Sequence, residues 1–418
     1  MDKLIIKFKT PAAEDTLFYF FFTFPVWQEL IFSKLSYSLR IIIPHVLMLL
    51  LYVVFALRQK EYFRNYLDVI LVYLGIFILF FAKFMIDDSM STWINQQVYS
   101  VRYMLSPGMG IFAYAVVRTQ NSARNMLNKL KVVGVILALF YAYQLLPVLS
   151  SGYWEYNQFG VVIQNTSNMS WGYGVVTAVS FLSIFLLWDK KRLFLIPIML
   201  GAVGALIYGS RGATVALAVG ILLLLLFYGN NKLSFKRIAI LLLFFSAVIF
   251  ILSDLGIALI ADMLENMGVT SRLIETLQGS LTFDTVANGR ENVWSMAIQM
   301  IQNNPILGYG VFGERNVIYD IGYRWGYCHN IVLELLIDFG CVLGGALVIF
   351  GAYKLIKNLI TVQDKAWKLL FIIFTTISFE LIMSNSIWFH TGFWSLIAIF
   401  VNYHKQTIKV KNKLIPNL

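Results

Sequence analysis

Charged side chains are scarce in this sequence: Asp, Glu, Lys and Arg make up 13% of the 418 residues, and hydrophobic residues make up 59%. A soluble domain of this length would carry about 25% charged residues. The apolar residues also come in runs of roughly 16 to 22, long enough to cross about 30 Å of hydrocarbon as helices. The sequence therefore excludes a soluble globular protein and predicts an all-α, polytopic integral membrane protein.

Cysteine is scarce as well, because Cys328 and Cys341 are the only two. Two cysteines are too few for a disulfide framework, and no His/Cys cluster has metal-ligand spacing, so we expect neither a metal nor a cofactor. The basic amino terminus, MDKLIIKFKTPAAED, is not followed by a small-residue cleavage site, and we expect it to be retained.

Polar breaks divide the chain into about twelve predicted transmembrane helices. Their expected ranges are 16–32, 39–57, 67–86, 101–118, 132–149, 171–188, 193–209, 212–228, 238–257, 329–350, 366–384 and 388–402.

The basic residues predict the orientation of these spans. With both termini in the cytoplasm, most of the 33 Lys and Arg residues fall in cytoplasmic segments, as the positive-inside rule requires. The net charge of +11 is therefore a topology signal and does not indicate nucleic-acid binding. We expect residues 1–418 to form a single membrane domain, with one long extracytoplasmic loop over 258–328.

The first candidate site residue is an arginine between two spans, in YGSRGATVALAVG (residues 208–220). Arg211 lies at the predicted outer mouth, where the neighbouring glycines leave room for a large anion beside the guanidinium. The plainer alternative is a basic residue that reaches lipid headgroups. Its position on the side that the charge rule disfavours argues for anion binding.

A second arginine, Arg290, precedes an amphipathic stretch in the long loop. We expect this stretch to form a helix that lies along the membrane surface as a cap. Its apolar residues at helical spacing are Trp294, Ala297, Ile298 and Ile301. The following GYGVFG is a flexible turn that lacks the Lys-Ser/Thr of a phosphate-binding loop.

The stretch GYCHNIVLELLIDFGCVLGG (residues 326–345) begins the tenth predicted span with His329 and Asn330. Glu334 and Asp338 follow four residues apart on one helical face, and acids inside a membrane usually mark a cavity or a partner. Alone, the histidine is more typical of a satisfied interfacial residue than of a catalyst. The glycines at 340, 344 and 345 favour a close helix-packing surface.

Two adjacent acids, Asp87 and Asp88, lie in an early outer loop. They could bind a metal or act as a general base, and the alternative is an ordinary solvated loop.

Three elements together, SRGA, GRENVW…NNPILGYG and HN…E…G, resemble the O-antigen ligase and polymerase superfamily of bacterial envelope enzymes, over approximately residues 170–350. The resemblance implies metal-independent glycosyl transfer at the outer face of the cytoplasmic membrane, from an undecaprenyl-diphosphate-linked oligosaccharide. It also implies that Arg211 and Arg290 hold the diphosphate and that His329 activates the acceptor hydroxyl. Asn330, Glu334 and Asp338 are then supporting residues.

Further contacts to phosphate or sugar are expected from the long loop. The candidates are Arg272, Arg315, Arg324, Tyr309 and Trp325. For the aromatic residues, the alternative to stacking on sugar rings is packing at the membrane interface.

The leading functional hypothesis is a polysaccharide polymerase, for O-antigen, capsule or a related polymer. A ligase that moves the finished glycan to lipid A core or another acceptor is the alternative. A flippase for lipid-linked oligosaccharides is less favoured, because the chain shows no internal repeat and its unusual charges gather at one loop. Membrane lipids, a chain-length regulator and a flippase are candidate partners.

Overall fold

The computed structural model describes residues 12–86, 110–158, 161–165, 167–228, 290–320 and 326–414, with a few isolated positions between 258 and 266. Helices make up most of these residues. In chain order they are α1 (Ala13–Phe22), α2 (Phe24–Leu30), α3 (Tyr37–Arg58), α4 (Tyr62–Ile86), α5 (Ile111–Arg118), α6 (Ala123–Ser151), α7 (Met169–Leu187), α8 (Leu195–Tyr208), α9 (Arg211–Phe227), α10 (Arg290–Asn303), α11 (Arg315–Asp320), α12 (Ile331–Phe339), α13 (Gly345–Thr361), α14 (Lys365–Ser378), α15 (Glu380–Met383) and α16 (Thr391–Leu414).

Within the described residues, 5 helical segments are long and apolar enough to cross a membrane: Tyr62–Lys83, Ala123–Ser151, Met169–Leu187, Ile331–Thr361 and Lys365–Met383. This confirms the predicted class of helical membrane protein. The predicted number of about twelve spans is not confirmed, and the predicted ninth span, 238–257, lies outside the described residues. Of the predicted outer loop, the structure describes 290–320, 326–328 and a few isolated positions.

The two most enclosed of these segments form the centre of the bundle. In the most apolar window of Met169–Leu187 and of Lys365–Met383, 67% and 61% of the residues are buried, against 22% for Tyr62–Lys83. Helix α7 packs against α6, α8, α9 and α14. Leu71, Phe77 and Phe81 of α4 are exposed, as expected of a helix that faces lipid.

The first predicted span, 16–32, is divided into two helices. The backbone of Thr23 leaves helical geometry, and Pro25 follows in the first turn of α2. Proline has no N–H and is tolerated at a helix start but not in its interior, so the chain turns here.

A short antiparallel hairpin, which the sequence did not predict, joins α6 to α7. Its strands are β1 (Trp154–Gln158) and β2 (Val161–Asn165), with Trp154 opposite Asn165. The Trp154 indole Nε1 donates to the Tyr208 carbonyl at 3.2 Å, and this bond fixes the hairpin against the carboxyl end of α8.

At the opposite end of the bundle, a buried ion-pair cluster joins three helices. Arg118, only 3% exposed, donates from Nε to Asp68 Oδ2 at 2.5 Å, and Lys405 Nζ donates to Asp68 Oδ1 at 2.6 Å. Arg118 also binds Asn402. Buried charges need such partners, so the cluster fixes α4, α5 and α16 at that end.

Candidate functional site

Three parts of the chain meet at the end of the bundle that holds the hairpin. They are the start of α9, the start of α12 and residues 379–390, named here the connecting segment, which joins α14 to α16. A Cβ placed on Gly212 would lie 3.3 Å from Met383 Cβ, and Asn330 Nδ2 donates to the Ile382 carbonyl at 3.3 Å. Gly212 follows Arg211, and Asn330 follows His329. These two neighbours lie against adjacent residues of the connecting segment, Met383 and Ile382.

The SRGA motif builds the start of α9. Ser210 caps the helix, because its Oγ accepts from the Ala213 amide at 3.3 Å. A side chain on Gly212 would displace the Tyr173 hydroxyl, since a Cβ would lie 2.0 Å from Tyr173 Oη. Arg211, the partly exposed first residue of α9, thus adds its guanidinium to a helix amino terminus, an arrangement suited to an anion.

His329 stands just before α12 with a φ of 55°. Such a value is uncommon outside glycine, and backbone strain of this kind gathers at functional sites. Its ring is partly exposed and lies against the Tyr327 ring, with 4.3 Å between centroids. Asn330 caps α12, because its Oδ1 accepts from the amides of Val332 at 2.9 Å and Leu333 at 3.2 Å.

Arg290 is the first residue of α10, and its side chain lies outside the described part of the structure. The Trp294 indole donates to the Cys328 carbonyl at 3.0 Å, which links this helix to the residue before His329. The face of α10 that packs inward carries Val293, Ala297 and Met300. Ile298, expected on the apolar face, is 48% exposed. That α10 lies along the membrane surface stays a prediction.

Glu334 and Asp338 are both 1% exposed and hold the connecting segment against α12. Glu334 accepts from the Ile387 amide at 3.0 Å and from the Ser386 hydroxyl. Asp338 Oδ2 accepts from the Trp388 indole at 3.1 Å. Through these bonds, the two acids hold together the segments that surround His329.

Arg315, expected to contact phosphate or sugar, is 2% exposed. Its Nη2 donates to Glu334 at 3.2 Å and to Ser386 Oγ at 2.8 Å, and Glu314 lies 3.3 Å from its Nε. The guanidinium is therefore inaccessible to a glycan in this conformation. We place Arg315 in the protein interior and no longer among the substrate contacts.

The predicted tenth span, 329–350, is not one continuous helix. Helix α12 ends after nine residues, and a π-helical segment over Gly340–Gly344 precedes α13. Gly340 has a φ of 73°, and a Cβ there would lie 2.1 Å from the Ile306 carbonyl oxygen. Gly340 therefore packs against the backbone of a loop. The sequence had predicted packing against a neighbouring helix.

That loop follows α10 and carries Tyr309, a predicted sugar contact. The Tyr309 amide donates to the Ile337 carbonyl at 2.7 Å, and its carbonyl accepts from Lys83 Nζ at 2.6 Å. Its backbone therefore joins α12 to the end of α4, while its side chain is partly buried and packs with the α10 cluster.

The remaining predicted residues lie outside the described part of the chain: Arg272, Arg324, Trp325, Asp87 and Asp88. Among the described residues, no group of three or more His, Cys, Asp or Glu side chains could hold a metal ion. Cys328 is completely buried, and burial raises the pKa of its thiol well above the usual value. A neutral thiol is a poor nucleophile, so Cys328 is not a candidate nucleophile.

Sequence reasoning missed the polar side chains of the connecting segment. His390 Nε2 lies 3.2 Å from Glu380 Oε2, and its Nδ1 accepts from the Phe393 amide at 3.0 Å. Both ring nitrogens are thus occupied, and His390 serves as the cap of α16 rather than as a free base. An acid and a histidine within an apolar stretch were the available signal.

Comparison with known proteins agrees with the resemblance in the motifs. The family model described as O-antigen ligase matches residues 196–350, a range that includes Arg211, Arg290 and His329. No curated protein and no solved structure matches the chain significantly. This match over residues 196–350 supports the O-antigen ligase and polymerase superfamily as the family of this membrane protein.

Proposed function

We propose that the protein is a bacterial membrane polysaccharide polymerase. It transfers a growing glycan from polyprenyl diphosphate to the terminal sugar hydroxyl of a lipid-linked repeat unit at the outer face of the cytoplasmic membrane. The main support for the proposal is that Arg211 and His329 belong to two helix starts that meet. The residue after each of them lies against the connecting segment, at Met383 and Ile382 respectively.

Arg211 and Arg290 are proposed to hold the diphosphate of the donor. The leaving diphosphate gains negative charge as the glycosidic bond forms, and fixed guanidinium groups stabilise that charge through paired hydrogen bonds. The capped amino terminus of α9 adds its dipole to Arg211. No metal ion is needed for this arrangement.

His329 is proposed to be the general base. The acceptor hydroxyl oxygen attacks the anomeric carbon of the donor, and the bond from that carbon to the phosphate oxygen breaks. The electron pair of the broken bond leaves with the polyprenyl diphosphate, and the hydroxyl proton passes to the imidazole. An imidazole suits this step because its ordinary pKa lies near neutral pH.

A ligase is the second candidate, because the matching family model carries that description. A ligase uses the same donor and the same leaving group. It differs only in the acceptor, which is lipid A core or another molecule instead of a second repeat unit.

An assay with purified protein and one lipid-linked repeat unit distinguishes a polymerase from a ligase. The probe is the lipid-linked oligosaccharide that accumulates in cells lacking the gene, incubated with protein in lipid nanodiscs. We expect a ladder of products that differ by one repeat unit. Product that forms only after a separate acceptor is added would identify a ligase, and no glycosidic product under either condition would contradict both proposals.

A further inference from the structure

We propose that Arg315 and Tyr327 position the imidazole of His329, with the Tyr327 ring in contact with the Arg315 guanidinium and with the imidazole. This inference rests on the proposed function, since it assigns positioning residues to the proposed base. Neither residue is proposed to touch the substrate.

Arg315 provides the fixed end of this arrangement. Its guanidinium donates to Glu334 on α12 and to Ser386 of the connecting segment, and it pairs with Glu314. The Nη2 edge of the planar guanidinium thus faces Glu334 and Ser386, and its Nε edge faces Glu314, so partners on two edges restrict its orientation. The carboxylate of Glu334 also accepts from the Ile387 amide at 3.0 Å, so hydrogen bonds from the connecting segment hold the acid that pairs with Arg315.

The Tyr327 ring lies between Arg315 and His329 and contacts both side chains. The Arg315 guanidinium carbon lies 5.0 Å from the centroid of the Tyr327 ring, within the range of a cation–π contact. The Tyr327 and His329 ring centroids are 4.3 Å apart, with 55° between their planes. A rotation of the tyrosine would therefore move the imidazole.

The backbone before His329 is also shaped around Arg315. Gly326 has a φ of 64°, and a Cβ there would lie 3.1 Å from the Arg315 carbonyl oxygen and 3.5 Å from Arg315 Cδ. Two residues later, Cys328 is buried and its carbonyl is held by Trp294. Arg315 therefore contacts the Tyr327 ring and packs against the main chain at Gly326, three residues before His329.

Accurate placement of a base matters most for the chemical step. A displacement of about 1 Å lowers a rate by about 100-fold, whereas the donor diphosphate is proposed to bind through other residues. Loss of the Tyr327 ring should therefore lower kcat and leave KM nearly unchanged. A residue that only stabilises the fold would instead reduce the amount of folded protein without changing kcat per folded molecule.

The test compares ring-retaining and ring-deleting variants in the full chain, with the lipid-linked oligosaccharide from cells lacking the gene as substrate. Tyr327→Phe should keep kcat within about threefold of wild type, because the cation–π contact needs only the ring. Tyr327→Met and Tyr327→Leu should lower kcat by about 100-fold, with KM changed less than about threefold. Arg315→Lys should act in the same direction, because lysine lacks the planar fork.

Matched controls separate positioning from general damage. Tyr353→Met removes another tyrosine that lies under a cation, Lys357, at 5.5 Å, and Arg64→Lys alters an exposed ion pair with Glu61. Both controls should keep wild-type kcat. Folded protein is counted by size-exclusion chromatography, so that kcat refers to folded molecules.

His329→Ala, assayed in parallel, distinguishes the two proposals. If His329→Ala is inactive but Tyr327→Met and Tyr327→Leu keep wild-type kcat, the positioning role is overturned and the proposed base stands. If His329→Ala retains wild-type kcat, the proposed base and its positioning both fail.

Discussion

At the scale of single residues, neighbouring side chains of the SRGA motif have different tasks. Ser210 caps α9, Gly212 gives Tyr173 room to approach, and Arg211 contributes a cation at the helix start. The sequence could suggest an anion site here because the residue types and their order carry that information. It could not show that the hydroxyl of Tyr173, from another helix, occupies the space beside Gly212.

Replacement of Arg211 by lysine should weaken binding of the donor diphosphate by at least about tenfold, because lysine cannot form the paired hydrogen bonds of a guanidinium. The measurement is inhibition of transfer by undecaprenyl diphosphate compared with undecaprenyl monophosphate. The monophosphate should lose less affinity than the diphosphate. Arg192→Lys is the control and should behave as wild type, because Arg192 lies just before the amino terminus of α8, at the end away from Arg211. Unchanged inhibition by the diphosphate in Arg211→Lys would remove Arg211 from the proposed donor site.

Substitutions of Asn330 distinguish the contribution of the α12 cap to stability from that of the hydrogen bond to Ile382. Asn330→Asp keeps an acceptor for the amides of Val332 and Leu333 but loses the donor to the Ile382 carbonyl. Asn330→Ala loses both, and a lost cap costs about 1 kcal/mol. Thermal unfolding should therefore give Tm values in the order wild type, Asp, Ala. Equal Tm values for the two variants would contradict the capping role.

The burial of Arg315 and its pairing with Glu334 were beyond sequence reasoning for a physical reason. An arginine in a long polar loop is usually solvated, and nothing local shows that the loop folds back over α12. The acids at 334 and 338 could be assigned a partner by the rule that buried charges are paired. The identity of that partner depends on tertiary contacts between distant parts of the chain.

At the scale of elements, the break between α12 and α13 is the feature that shapes the site. The sequence predicted one span over 329–350, because hydropathy alone does not reveal a break within this apolar stretch. The break is imposed by the loop after α10, whose Pro305 carbonyl accepts from the Cys341 amide at 2.6 Å. Backbone groups that leave a helix within a membrane need partners of this kind.

Gly340→Ala should therefore be strongly destabilising. Alanine is unfavourable at a positive φ, and its Cβ would meet the Ile306 carbonyl, so we expect a loss of at least about 1 kcal/mol and a clear fall in Tm and activity. Gly351→Ala in α13 is a matched control, because no atom lies within 4 Å of its Cβ position. Equal stability of the two variants would contradict the proposed packing at the break.

At the scale of the whole molecule, the charge bias predicts which end of the bundle faces outward. Gln164 of β2 lies at the site end, and Lys191 lies beyond the carboxyl end of α7, at the opposite end; both are exposed. Single cysteines at these positions, in a Cys328→Ser, Cys341→Ser background, can be treated with a membrane-impermeant maleimide. In intact spheroplasts, Gln164→Cys should react and Lys191→Cys should react only after permeabilisation. The reverse pattern would place the site in the cytoplasm and contradict the predicted orientation.

The class of helical membrane protein follows directly from composition, because long apolar segments in water would be insoluble and in lipid must be helical. The division of the chain into spans follows less well. Thr23 and Gly340 interrupt apolar runs that hydropathy treats as continuous, and the hairpin between α6 and α7 has no strong alternating pattern. Local geometry and contacts from other segments decide these points.

The proposed reaction is transfer of a glycan from polyprenyl diphosphate with His329 as the base. Its most direct test counts the undecaprenyl diphosphate released and the glycosidic bonds formed by purified protein in nanodiscs, for wild type and His329→Ala. We expect one diphosphate released for each bond formed by the wild type, and neither product from a folded His329→Ala variant. Diphosphate release without bond formation, or undiminished bond formation by His329→Ala, would contradict it.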